Sequence, residues 1–165
     1  MEPITYAADH ANGTVEVTLA DRRLVAKTQG RGALDRLRII DIALTELDKF
    51  CVVPTVAIQN VVDATGTDMV YDRSYDAEFI FSYRENGKRK IKRIFVDRGD
   101  EAWQRLVAEL HAECPSASLL DLEPAEAQKQ IGAMSGTKAL SMVFGIIVGV
   151  PLIVGLIVLL SRSHH

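Results

Sequence analysis

YDAEFIFSYRENGKRKIKRIFVD, residues 75–97, sets two runs rich in β-branched and aromatic residues on either side of Asn86-Gly87. Both central residues of a type I′ turn need positive φ, which Asn and Gly tolerate best, so the dipeptide predicts a two-residue β-hairpin. Side chains alternate across a strand, which puts Phe79, Phe81 and Tyr83 on one face of the first run. In the second run Ile91 and Phe95 share one face, while Ile94 and Val96 point the other way.

Working outward toward the N-terminus, TVEVTLA (14–20) places Val15, Val17 and Leu19 on one face, and a tight Asp21-Arg22 connection leads into RLVAKT (23–28), giving a second expected hairpin. QGRGALDR (29–36) reads as a loop, and LRIIDIALTEL (37–47) resumes the alternation with Ile40, Ile42 and Leu44. KFCVVP (49–54) and VAIQNVV (56–62) keep the β-branched character, with Pro54 marking an edge or break between them. Toward the C-terminus, GDEAWQRLVAELHAE (99–113) is helical in pattern: Trp103, Leu106, Val107 and Leu110 form one apolar stripe, Asp100 is a good N-cap, and Pro115 ends the run.

This order of short strands, a basic last hairpin and an amphipathic helix bearing a tryptophan resembles the pleckstrin-homology-like (PH-like) superfamily, including its bacterial members. VEVTLADRRLVAKT, FIFSYRENGKRKIKRIFV and DEAWQRLVAEL carry the resemblance, at the level of pattern. Pattern alone also fits another small β-barrel capped by a helix. The resemblance implies a mainly β fold, two near-orthogonal sheets closed at one corner by a C-terminal helix, serving as a non-catalytic scaffold that binds a lipid headgroup, a peptide or another protein. Lipid-binding members use a long basic loop between their first two strands. The corresponding connection here is only ADRR, with Arg22, Arg23 and Lys27 around it.

Charge is segregated along the 165 residues: all 22 acidic residues and 18 of the 19 basic ones precede Ala139. The uncharged run ALSMVFGIIVGVPLIVGLIVLL (139–160) is 22 residues long, and a helix of that length extends about 33 Å, enough to cross the hydrocarbon core of a bilayer. No basic, apolar leader precedes the domain, so the expected arrangement is a tail-anchored, single-pass membrane protein with its N-terminal domain cytoplasmic. Lys129 and Lys138 on the domain side of the run agree with that orientation. The chain accordingly divides into an N-terminal segment (1–13), a PH-like soluble domain (14–114), a linker (115–138) with a short helix around Ala125–Ile131, a transmembrane helix (139–160) and a short tail (161–165).

Two candidate sites follow. Residues 84–98 carry seven basic and two acidic residues, net +5, whereas the rest of the chain up to Lys138 carries −9. Arg84, Lys88, Arg89, Lys90, Lys92 and Arg93 are therefore the candidate surface for membrane lipid or an acidic partner protein. The competing explanation is a solvated hairpin whose lysines discourage edge-to-edge pairing. Inside the apolar run Ser141, Gly145 and Gly149 recur every four residues, a stripe that lets helix backbones approach and suits a homodimer or docking into a larger membrane complex as an accessory subunit. Pro151 is expected to loosen the helix there.

Catalysis finds no support in the residues. His111 and Cys114 have a spacing that suits two metal ligands, but no second pair accompanies them, and neither a nucleophile elbow nor a phosphate-binding glycine loop is present. No metal or cofactor is expected. Cys51 and Cys114 read as reduced, buried thiols, and a net charge of −3 argues against nucleic acid as a partner.

Overall fold

The structure is a computed structural model that describes residues 2–10, 13–32, 36–55, 58–63, 66–71 and 75–133. It is mainly β. Strands β1 (Ile4–His10), β2 (Gly13–Ala20), β3 (Arg23–Gly30) and β4 (Arg38–Ala43) form an antiparallel meander. A 3₁₀ turn, Leu44–Glu46, leads into β5 (Leu47–Pro54), which pairs with β8 (Ala77–Glu85), and β8 in turn pairs with β9 (Lys88–Val96). Between β5 and β8 stands a separate hairpin of β6 (Ile58–Asp63) and β7 (Gly66–Tyr71). Helices α1 (Glu101–Glu113) and α2 (Pro124–Ile131) follow.

Local chemistry explains the turns. Asn86 and Gly87 have φ of 52° and 75°, and Asp21 and Arg22 have 47° and 57°, so both hairpins close on the primed turns whose twist matches that of their strands. Asp100 caps α1, its Oδ1 accepting from the Trp103 amide at 2.9 Å, which satisfies one of the free donors at the helix start. The α1 stripe then buries Trp103, Leu106 and Leu110. Trp103 meets Tyr6 and Phe79 edge-on, with ring centroids 5.2 and 5.1 Å away, at the centre of a core that also holds Val17, Leu19, Leu24 and Phe81.

Two parts of the expected organisation are corrected. Residues 1–13 are not merely a leading segment: β1 pairs with β2 from Ile4↔Leu19 to His10↔Gly13 and buries Tyr6 and His10. ITYAADH carries few large apolar residues, so its alternation is faint in sequence. Residues 117–133 do not behave as linker. Phe50 donates to the Ala117 carbonyl and accepts from the Leu119 amide, both at 2.9 Å, so this segment lines the open edge of β5. α2 then lies on the outer face of β5 and β8, where Ala127 and Ile131 join Cys51, Val53, Ile80 and Leu119 in a second apolar cluster.

The expected transmembrane helix, 139–160, lies outside the described residues. Among the described residues no helix is long and apolar enough to cross a membrane.

Candidate functional site

β9 forms one edge of its sheet and alternates between two environments. Ile94 and Val96 face the core, while Ile91 and Phe95 remain 42% and 37% exposed. All six basic residues singled out from the sequence stand on this hairpin, exposed except for half-buried Lys92. The hairpin does gather them, but it engages them unequally.

Three are paired within the domain. Arg89 Nε lies 2.9 Å from Asp48 Oδ2, and its Nη2 donates to Ser82 Oγ at 3.1 Å and to the Gln130 carbonyl at 3.4 Å. Arg93 pairs with Glu78 at 3.2 Å, and Lys90 with Glu85. Farther along, Arg98 pairs with Asp76 at 2.9 Å. Burial works against the Asp76 carboxylate, but the Arg98 hydrogen bonds and charge outweigh it and hold the carboxyl below its usual range. Counting Asp48, Asp76 and Glu78, which pair into residues 84–98 from outside, lowers the local net charge from +5 to +2. Exposed pairs of this kind add little stability, but they do reduce the field that a distant ligand would feel.

Arg84, Lys88 and Lys92 make no ion pair among the described residues. Lys92 differs from the other two because it is partly buried, and burial first, then the neighbouring Arg38 charge, pushes its ammonium below the usual lysine range. Beside it a cavity of about 200 Å³ opens between β9 and the ends of β1, β2 and β3, lined by His10, Thr28, Gly30, Lys92 and Phe95 among others. Arg38 comes from β4, distant in sequence, and nothing in the sequence pattern brings it to Lys92.

The aromatic end of the strand is held firmly. Phe95 stacks on Tyr75 with centroids 4.5 Å apart, Tyr75 meets His10 edge-on, and His10 Nε2 donates to the Phe95 carbonyl at 3.1 Å. The Asp97 amide donates to Tyr6 Oη at 3.0 Å, so β1 is pinned to the end of β9 from two points.

His111 Nδ1 lies 2.8 Å from Ser118 Oγ rather than sharing a ligand with Cys114, whose thiol faces the Leu44 carbonyl at 4.0 Å. Among the described residues no group of three or more His, Cys, Asp or Glu side chains could hold a metal ion. Cys51 is buried and its thiol is pushed up to about 11 by that burial. Arg23 and Lys27 are paired with Asp41 and Glu16, at 2.8 and 2.6 Å. Their hairpin joins β2 to β3, so the first connection of the fold is instead the one after His10, where residues 11–12 carry no basic side chain. Ser141, Gly145 and Gly149 lie outside the described residues. No family model, curated protein or solved structure matches the chain.

Proposed function

We propose that the chain is a non-catalytic, membrane-tethered binding module with PH-like architecture, anchored through residues 139–160 and contacting an anionic surface through its last hairpin. The observation that carries this reading is the juxtaposition on one face of the hairpin of the unpaired cation Arg84 with exposed Ile91 and Phe95. Positive charge draws a surface toward anionic headgroups and apolar side chains enter the interface, so the combination suits a leaflet better than either feature alone. A four-stranded and a three-stranded antiparallel sheet, followed by a packed helix, support the PH-like reading. Tethering raises the effective concentration, so weak contacts suffice.

The test is co-sedimentation of residues 1–133 with neutral and anionic vesicles across a salt series. α2 runs from Pro124 to Ile131 and packs on the domain, so the boundary is set after Ala133. Binding that needs anionic lipid and fades with salt is expected; equal binding to both vesicles, or none, would reject the reading. The alternative, an accessory subunit docked through Ser141, Gly145 and Gly149, predicts that Gly145→Leu with Gly149→Leu abolishes assembly in the native membrane and leaves vesicle binding intact.

A further inference from the structure

The packing of α2 fixes where the chain leaves the domain, and the exit point selects a face. The helix stops at Gly132, whose φ of 76° suits glycine. The Gly132 amide donates to the Lys129 carbonyl and the Ala133 amide to that of Gln128, at 3.0 and 2.9 Å, the paired bonds of a Schellman motif. Ala133 itself is buried, so the exit is part of the packed structure.

That exit lies against β9. A β-carbon built on Gly132 would stand 3.6 Å from Arg89 Nη1 and 3.8 Å from Ile91 Cδ1. Six residue steps separate Ala133 from Ala139, where the uncharged run begins. Whatever their conformation, six steps reach about 20 Å at most. A domain of this size is roughly 35 Å across. A free linker over 115–138 would let any face meet the membrane, but a tether this short presents the face around the exit and keeps the opposite one away.

The chemistry of that face agrees with its position. The outward row of β9 carries Arg89, Ile91, Arg93 and Phe95, exposed Arg84 of β8 stands opposite Arg89 without an ion pair among the described residues, and Lys129 is exposed on the last turn of α2, whereas Lys88 and Lys92 alternate to the inner side. The other exposed apolar pair, Leu37 and Ile39 on and before β4, also has exposed arginines beside it, Arg36 and Arg38, but it belongs to the other sheet, whereas α2 packs on β5 and β8. We infer that the outer face of β9, together with the C-terminal turn of α2, lies against the headgroups of an anionic leaflet. This rests on the reading of 139–160 as a membrane span.

The test is hydrogen exchange of the full chain reconstituted into phosphatidylcholine vesicles, with or without phosphatidylserine, following the amides of β9 and β4. An alkaline wash of the same vesicles reports insertion separately. The expected result is an alkali-resistant chain in which Arg89–Arg93 exchange slows severalfold with phosphatidylserine, reverts at high salt and in Arg84→Glu with Ile91→Asp, and leaves β4 unchanged. In that variant, retained protection of β8 shows that the domain is folded. An inserted chain with no slowing at β9, or with slowing at β4 instead, overturns the assignment of the face. Slowing at β9 only in native membranes, and in neither vesicle, assigns the face to a protein and overturns the lipid contact. Loss of the chain in alkali removes the span, and the inference with it.

Discussion

β8 is covered on both faces, and the two covers differ in kind. On the inner side Phe79, Phe81 and Tyr83 meet a large cluster supplied by segments from Tyr6 to Ala117, with Trp103 at its centre. On the outer side Ile80 meets a small cluster completed only by Leu119, Ala127, Ile131 and Ala133. Between them the buried hydroxyl of Ser82 is shared by Arg89 and, at 3.3 Å, by Asp48. The inner cover holds the β domain together; the outer one fixes α2 and sets its C-terminal turn beside Arg89 and Ile91 of β9. The fold and the placing of α2 therefore rest on separate sets of contacts, and they can be broken separately.

The largest break is expected from Trp103→Ala, which removes the centre of the inner cluster and costs about 3–5 kcal/mol. Chemical denaturation should show loss of the whole domain; a variant that loses only α2 would erase the distinction between the two layers. Ile131→Ala comes next, at about 2–5 kcal/mol. Hydrogen exchange should show α2 and residues 117–119 opening while α1 amides keep their protection, whereas global unfolding in one step would make the two layers a single cooperative unit.

Smaller effects sharpen the picture at the exit and along β9. Gly132→Ala places a side chain at positive φ and is expected to cost about 1 kcal/mol, with fraying confined to α2. Acid titration probes the Asp76–Arg98 pair. Its carboxyl is held below the usual aspartate range, so its contribution is present above that range and is lost as pH falls through the depressed value. Asp76→Asn should lower the unfolding midpoint slightly at neutral pH, where the ionised pair is present, and flatten its fall over that acid interval, so that the two proteins converge in acid.

The smallest change carries an opposite sign. Lys92 is half-buried beside Arg38 without a carboxylate partner, so Lys92→Met removes desolvation and repulsion and should raise the melting temperature slightly. Because Lys92 alternates to the side opposite Ile91 and Phe95, the same substitution should leave association with anionic vesicles nearly unchanged. A stabilised variant that binds as before would mean that Lys92 is a packing residue and no part of the contact surface.

Much of the inner layer is legible in the sequence. Asn86-Gly87, the Phe79, Phe81, Tyr83 alternation and the Trp103 stripe each encode local geometry in a few adjacent residues, because turn conformation and side-chain period depend on neighbours in the chain. β1 is hard to read because alanines dilute its alternation. α2 is visible as a short helix, but an eight-residue helix has no stable existence of its own, and nothing local shows that Ile131 finds Ile80.

The candidate site divides along the same line. Sequence alone determined that the chain has a charged, β-rich part and an uncharged 22-residue run, and that its cations gather at 84–93. Only the tertiary structure decided which of those cations are occupied, by Asp48 and Glu78 and by Glu85 across the turn. It alone set Arg38 near Lys92 and packed the segment up to Ala133 onto the domain. Charge and hydropathy belong to the residues wherever they fall, whereas pairing, burial and exit geometry depend on distances between segments that only the folded chain sets.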